Sequence, residues 1–119
     1  MMLACLVIFS GGTNADADND PDALFSEGYL AGGGPLHYLR HLVEDVRPCE
    51  GEWGVEYHNG YLGAFQFTPG TWGAAARATG FGDYMDPYHV GRNVAWLVQR
   101  VDPGSTGGFP HCWWVGNVP

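Results

Sequence analysis

Two cysteines, Cys49 and Cys112, enclose more than half of this 119-residue chain. Removal of an N-terminal leader that contains the third cysteine, Cys5, would leave these two alone. An even number of cysteines in a small exported domain favours a disulfide, and a bridge that closes so long a loop stabilises a fold by about 4 kcal/mol. A metal site that also uses His58 and His111 is the alternative, although neither a C-x-x-C nor an H-x-x-x-H spacing occurs. We therefore expect the Cys49–Cys112 disulfide and neither a metal nor a cofactor.

The N-terminal segment has the features of a secretory signal. Its first ten residues, MMLACLVIFS, are almost entirely apolar but too few to span a bilayer. Ala15-Asp16-Ala17 follows as a small-x-small site of the kind that signal peptidase cuts, so we interpret residues 1–17 as a signal peptide. No Lys or Arg precedes Arg40, so the usual basic start is missing, and a buried N-terminal strand is the alternative. The signal predicts a secreted or cell-wall protein without a stable membrane anchor.

The charge balance narrows the class of partner. The chain has a formal net charge of −8 and contains no lysine. Nucleic acids and anionic membranes are bound largely through Lys and Arg, so neither is an expected partner. Aromatic residues make up 14% of the chain, which is too many for a disordered acidic protein.

Acidic residues and glycines also suggest where the folded domain begins. The run NADADNDPD carries four aspartates, and Gly32-Gly33-Gly34 follows shortly after it. We predict an acidic, glycine-rich linker over residues 18–34 and a single domain over residues 35–116.

Three segments of that domain show the apolar spacing of amphipathic helices, and we expect helices over residues 35–47, 69–79 and 87–101. The second is preceded by Thr68 as N-cap and stopped by Gly80, and the third begins after Asp86. Pro48 disturbs the last turn of the first and places Glu50 at or just beyond its end.

Between the first and second helices the pattern changes to that of a hairpin. Asn59-Gly60 separates Tyr57-His58 from Tyr61-Leu62, which is a two-residue turn signal. Gly63 then opens a short aromatic strand over residues 64–67. The fold class is therefore α+β and mostly α, with about three helices, a short β-hairpin and one disulfide.

Glu50 is the candidate for chemistry because it directly follows Cys49. A disulfide at Cys49 would hold this carboxyl group at a helix end against an aromatic hairpin. Burial disfavours the charged form and raises the pKa of a carboxyl group, which is how a glutamate becomes a general acid near neutral pH. A solvated surface charge is the alternative for any single glutamate.

Several motifs together resemble one known family. They are Cys49-Glu50, the block NGYLGAFQF, the pair Thr71-Trp72, and Phe109-Pro110-x-Cys112. This combination is similar to the resuscitation-promoting factor domain, the actinobacterial, transglycosylase-like branch of the lysozyme superfamily. The similarity runs from about residue 36 to residue 113.

The resemblance implies a small lysozyme-like domain that cleaves the β-1,4 bond between N-acetylmuramic acid and N-acetylglucosamine in peptidoglycan. Glu50 would protonate the glycosidic oxygen and then deprotonate the sugar's own 6-hydroxyl, giving a 1,6-anhydro product. The implied partners are glycan strands and other wall hydrolases, and we expect a monomer.

The resemblance also implies substrate-binding residues. Gln66 and the backbone around Gly63 would hold N-acetyl groups, and Asn59 belongs to the same block. Tyr61 and Trp72 are candidates to stack on sugar rings, with core packing as the alternative. Phe65 and Phe67 are assigned to the core because they alternate with Ala64 and Gln66.

The chain departs from the family after its glutamate, where it has Gly51-Glu52-Trp53 instead of Ser-Gly-x-Asn-Trp. Glu52 and Glu56 would raise the pKa of Glu50 further or supply a second carboxylate. A second carboxylate supports attack by water, so a lysozyme-type hydrolase remains an alternative. A catalytically silent peptidoglycan-binding module is the other one.

Overall fold

The computed structural model describes residues 20–119, so the predicted signal peptide and Cys5 lie outside the described residues. The described part is mostly helical with one two-stranded antiparallel hairpin, which confirms the predicted α+β class. Its elements in chain order are α1 (Pro21–Ala31), α2 (Leu36–His41), a π-helical turn (Leu42–Val46), α3 (Arg47–Glu50), β1 (Tyr57–His58), β2 (Tyr61–Leu62), α4 (Pro69–Thr79), α5 (Pro87–Val98) and a 3₁₀ turn (Cys112–Trp114).

Helix α1 corrects the predicted linker. The linker prediction over 18–34 is wrong for Pro21–Ala31, which form a helix capped by the Asp20 side chain. Phe25 and Tyr29, one helical turn apart, are fully buried and are the largest fully buried side chains beside Phe65. The aspartates and glycines around this segment favoured a linker in the sequence. The spacing of Phe25 and Tyr29, the N-cap aspartate and the proline in the first turn favour a helix instead.

Helix α1 packs against α5 with the two backbones in close contact. A Cβ atom at Gly28 would overlap the carbonyl of Tyr88, and one at Gly91 would overlap the carbonyl of Phe25. Both positions lack a side chain, so the helices approach more closely than side chains would permit. This crossing forms the centre of the hydrophobic core.

The first predicted helix continues three residues beyond its expected end, and α2, the π-helical turn and α3 together form one segmented helix (residues 36–50). Pro48 has no N–H to donate to the carbonyl of Glu44 and its ring crowds that carbonyl. The preceding turn widens, so that the N–H of Arg47 donates to the carbonyl of Leu42, five residues earlier. The segmented helix ends at Glu50, a residue that the sequence placed at or just beyond the end of the helix.

The hairpin is confirmed, but the strand predicted after it is not. Tyr57 pairs with Leu62 and His58 with Tyr61 across the Asn59-Gly60 turn. The strand predicted over residues 64–67 is absent because residues 63–66 form a turn, with left-handed backbone at Gly63 (φ 68°) and again at Gln66 (φ 53°). This turn brings Phe67 back to form an isolated bridge with Leu62.

The other two predicted helices are confirmed. The Thr68 side chain accepts from the N–H of Thr71 at the start of α4, and Gly80 ends it in the left-handed conformation. Asp86 caps α5, which ends at Val98, three residues before its predicted end. Within residues 20–119, no helix has both the length and the apolar character that crossing a membrane requires.

Candidate active site

The Cys49–Cys112 disulfide sets the frame of the site. The two residues are bonded with their Cα atoms 5.6 Å apart, across a sequence separation of 63 residues. The bond confirms the predicted pairing, and it brings Glu50 and His111, the neighbours of the two cysteines, to one cavity. The disulfide thus joins the end of the segmented helix to the C-terminal loop.

This cavity, the Glu50 cleft, has a volume of about 480 Å³. Its walls come from the end of the segmented helix, the hairpin and its following turn, the start of α4, the end of α5 and the loop 106–111. Glu50 is the carboxylate among its lining residues, and most of the other polar groups are hydroxyls and amides. The walls thus combine aromatic rings with neutral hydrogen-bonding groups, a composition suited to sugars.

Burial changes the acidity of Glu50. The side chain is half-buried, and removal from water raises the pKa of its carboxyl group from 4.5 to about 7. Glu52 and Glu56 are exposed and lie outside the cavity lining, so burial alone is the cause. The prediction that these two glutamates raise the pKa of Glu50 is therefore wrong. At neutral pH a substantial fraction of Glu50 holds its proton and can donate it.

Helix α1 contacts residues in and next to the wall of the cleft. Phe25 stacks on Phe65, which lines the cleft, with ring centroids 4.9 Å apart. Asp22 accepts a hydrogen bond of 2.7 Å from the indole N–H of Trp53, in the segment that follows Glu50. The segment that was predicted to be a linker therefore contacts one lining residue of the cleft, Phe65, and also holds the segment that follows Glu50.

Gln66 lies in the cleft and has a strained backbone. Its φ of 53° is unusual for a residue with a Cβ, and such strain costs about 1 kcal/mol or more and is concentrated at functional sites. Both its backbone N–H and its side-chain amide Nε2 donate to the carbonyl of Gly63, at 3.1 and 2.9 Å. The carbonyl oxygen of the side chain has no partner in the described part of the chain. It remains able to accept a hydrogen bond from a ligand.

Gly63 contributes the turn and does not line the cleft. Its φ is 68°, and a Cβ there would lie 2.8 Å from the carbonyl oxygen of Tyr84. Glycine is thus required for backbone geometry, and its carbonyl is occupied by Gln66. Gly63 acts on the site through Gln66.

The hairpin brings one predicted substrate-binding residue to the cleft and keeps another away. Tyr61 lines the cleft with 44% of its surface exposed, so its ring is accessible to a ligand. Asn59 sits at the hairpin turn, outside the cleft lining, where its side-chain nitrogen lies 3.1 Å from Nε2 of His58. Its backbone φ of 51° gives it a role in the turn.

Trp72 belongs to the core, which corrects its assignment to sugar stacking. It is 5% exposed, packs its ring against Phe67 and Tyr84, and donates its indole N–H to the carbonyl of Gly82 at 3.0 Å. Phe65 and Phe67 are buried as predicted, although both also form part of the cleft wall.

Four polar residues line the cleft without a predicted role in substrate binding or catalysis: Thr68, Thr71, Thr106 and His111. Thr68 was recognised only as a helix cap, and the hydroxyls of Thr68 and Thr71 are hydrogen-bonded to each other at 2.9 Å. His111 could have been found from the disulfide, because a residue beside Cys112 must lie close to one beside Cys49.

Comparison with known proteins does not assign the chain to a family. No family model, curated protein or solved structure matches the chain. The family likeness of the sequence therefore stays a resemblance carried by its motifs.

Proposed function

We propose that this protein is an exported lytic transglycosylase that cleaves the β-1,4 bond between N-acetylmuramic acid and N-acetylglucosamine in peptidoglycan. Glycan strands are its partner, the cell wall is its place of action, and it works as a monomer, beside other wall hydrolases. The observation that carries the proposal is Glu50, a carboxyl group in a ring-lined cleft whose pKa is raised to about 7 by burial.

The proposed reaction uses this one carboxyl group twice. Protonated Glu50 gives its proton to the glycosidic oxygen, and the bond between that oxygen and C1 breaks. The resulting Glu50 carboxylate then takes the proton of the 6-hydroxyl on the same muramic acid unit. The 6-oxygen bonds to C1, which yields a 1,6-anhydro sugar and returns the proton to Glu50.

The lining of the cleft favours this intramolecular route over hydrolysis. Inverting hydrolases use a second carboxylate to activate water, and retaining ones use it as a nucleophile. Here Glu52 and Glu56 lie on the exposed surface outside the cleft lining. A reaction that needs one carboxyl group fits the cleft better than one that needs two.

His111 supports a second candidate function, a lysozyme-type hydrolase. Its side chain lines the same cleft as Glu50. An imidazole is the side chain most often used as a general base at neutral pH, so it offers a proton acceptor for water. The two functions differ in the product and not in the bond that is cut.

Tyr61 and Gln66 are the substrate-binding residues that the geometry supports best. The exposed ring of Tyr61 offers a face for a sugar, and the free carbonyl oxygen of Gln66 offers an acceptor for an N-acetyl N–H.

Digestion of purified cell wall tests the proposal. Wild type is expected to release anhydro-muropeptides detected by mass spectrometry, Glu50→Gln to release none, and Glu52→Gln to behave as wild type. Hydrated reducing ends would select the hydrolase instead. Capture of the protein on insoluble peptidoglycan without turnover by wild type would refute both and leave a silent binding module.

A further inference from the structure

Beside the Glu50 cleft lies a second groove, which we call the Arg100 groove. This groove has a volume of about 320 Å³ and is lined by Trp96, Arg100, Val101 and residues at the start of α4. Thr71, Leu97 and Gly107 line both spaces. The two spaces therefore adjoin each other on the surface, within reach of one chain-like ligand.

Arg100 is held at this groove by Trp96. Its guanidinium carbon lies 4.5 Å from the centroid of the Trp96 ring, and its Nη1 donates to the Trp96 carbonyl at 2.8 Å. A guanidinium has five N–H donors, so most remain free. No carboxylate forms an ion pair with Arg100 in residues 20–119, whereas Arg40 is paired with Glu44.

Arg100 places a positive charge in the groove of a protein whose net charge is negative. A net charge of −8 disfavours the approach of an anionic polymer, so a cation that faces such a polymer is important for binding. The guanidinium of Arg100, in a groove that adjoins the cleft, offsets this unfavourable charge at one point. Guanidinium groups match carboxylates in geometry as well as in charge.

We infer that the Arg100 groove is a second subsite, which binds a carboxylate carried by the glycan strand while Glu50 acts on the strand's glycosidic bond. This inference rests on the proposed function. The carboxylate belongs either to the lactyl group of muramic acid or to the stem peptide, and both present the same chemistry to Arg100.

The test measures binding, with Glu50→Gln as the background so that the strand is not cut. Arg100→Gln is added to this background. Arg40→Gln provides the matched control, because it removes one positive charge from an exposed arginine that pairs with Glu44 at 3.1 Å. The three probes are chitin oligosaccharides, stem-free glycan strands with free lactyl carboxylates, and strands that carry stem peptides, each measured by calorimetry.

Arg100→Gln is expected to weaken binding of one or both carboxylated probes about tenfold, and to leave the affinity for chitin oligosaccharides unchanged. Arg40→Gln is expected to change none of the three affinities. Weakening on stem-free strands assigns the carboxylate to the lactyl group, and weakening on stem-carrying strands assigns it to the peptide.

Unchanged affinity for both carboxylated probes after Arg100→Gln would overturn the inference and leave the proposed function standing. An equal loss on chitin oligosaccharides would overturn it as well, because the effect would then not depend on a carboxylate. If wild type cleaves no cell wall and the Glu50→Gln background binds none of the probes, the proposed function fails and the inference fails with it.

Discussion

Replacing Glu50 with glutamine should make the protein more stable at pH 8 while it abolishes cleavage. Burial raises the pKa of the Glu50 carboxyl from 4.5 to about 7 in the folded protein. Below pH 4.5 the carboxyl is protonated in both the folded and unfolded states, and stability does not depend on it. Between pH 4.5 and 7 the unfolded chain loses this proton while the folded protein keeps it, so the free energy of unfolding falls as pH rises. Above about pH 7 the loss is complete.

The magnitude follows from the size of the pKa change. Each pKa unit corresponds to 1.36 kcal/mol, so the full change gives an upper limit of about 3 kcal/mol. Glu50 is only half-buried, and solvent screening reduces this to about 1–2 kcal/mol. Glutamine has the same shape and never ionises, so Glu50→Gln recovers this amount at pH 8 and nothing at pH 4.

Urea denaturation at pH 4, 6 and 8, followed by tryptophan fluorescence with the disulfide intact, measures the difference. Glu52→Gln is the matched control, because it removes an exposed glutamate two residues away, leaves the Glu50 carboxyl in place and should keep the pH dependence of wild type. A stability difference between wild type and Glu50→Gln that is the same at pH 4 and pH 8 would refute the reasoning, since the carboxyl group would then not be desolvated.

Three further substitutions test the fold around the site. Phe25→Ala should lower the free energy of unfolding by about 3–5 kcal/mol, because Phe25 is fully buried, whereas a residue of a solvated linker would change it by almost nothing. Trp72→Phe should cost about 1 kcal/mol through loss of the hydrogen bond to Gly82 and leave KM for cell wall unchanged; a raised KM would place Trp72 in the substrate site. Replacing Cys49 and Cys112 together by serine should lower the unfolding free energy by about 4 kcal/mol and reduce wall cleavage, and unaltered stability would contradict a bridge that closes the domain.

The parts of the fold that follow local signals could be predicted from the sequence. Helix α4 is bounded by the Thr68 cap and by Gly80, and helix α5 begins at the Asp86 cap. The hairpin follows from Asn59-Gly60, because a tight turn of this kind needs two residues that adopt positive φ. In each case the residues that determine the structure lie within a few positions of it.

The parts that depend on distant contacts could not be predicted in this way. Helix α1 has a local start signal in Asp20 and Pro21, but its buried face becomes clear only when α5 packs on it. The sequence of residues 64–67 alternates in side-chain type as a strand does. The backbone forms a turn there because Gln66 has a positive φ, which glutamine rarely adopts. The same limit applies to the site, where Glu50, Tyr61 and Gln66 line the cleft but Trp72 does not.

The contact between α1 and α5 has a consequence for sequence change in this domain. At Gly28 and Gly91 the opposite backbone occupies the space that any side chain would need, so even alanine forces the helices apart. Gly28 and Gly91 are therefore intolerant of substitution although neither carries a side chain. A mutational screen limited to acidic and aromatic residues would miss these two glycines. A selection for folded protein would identify both.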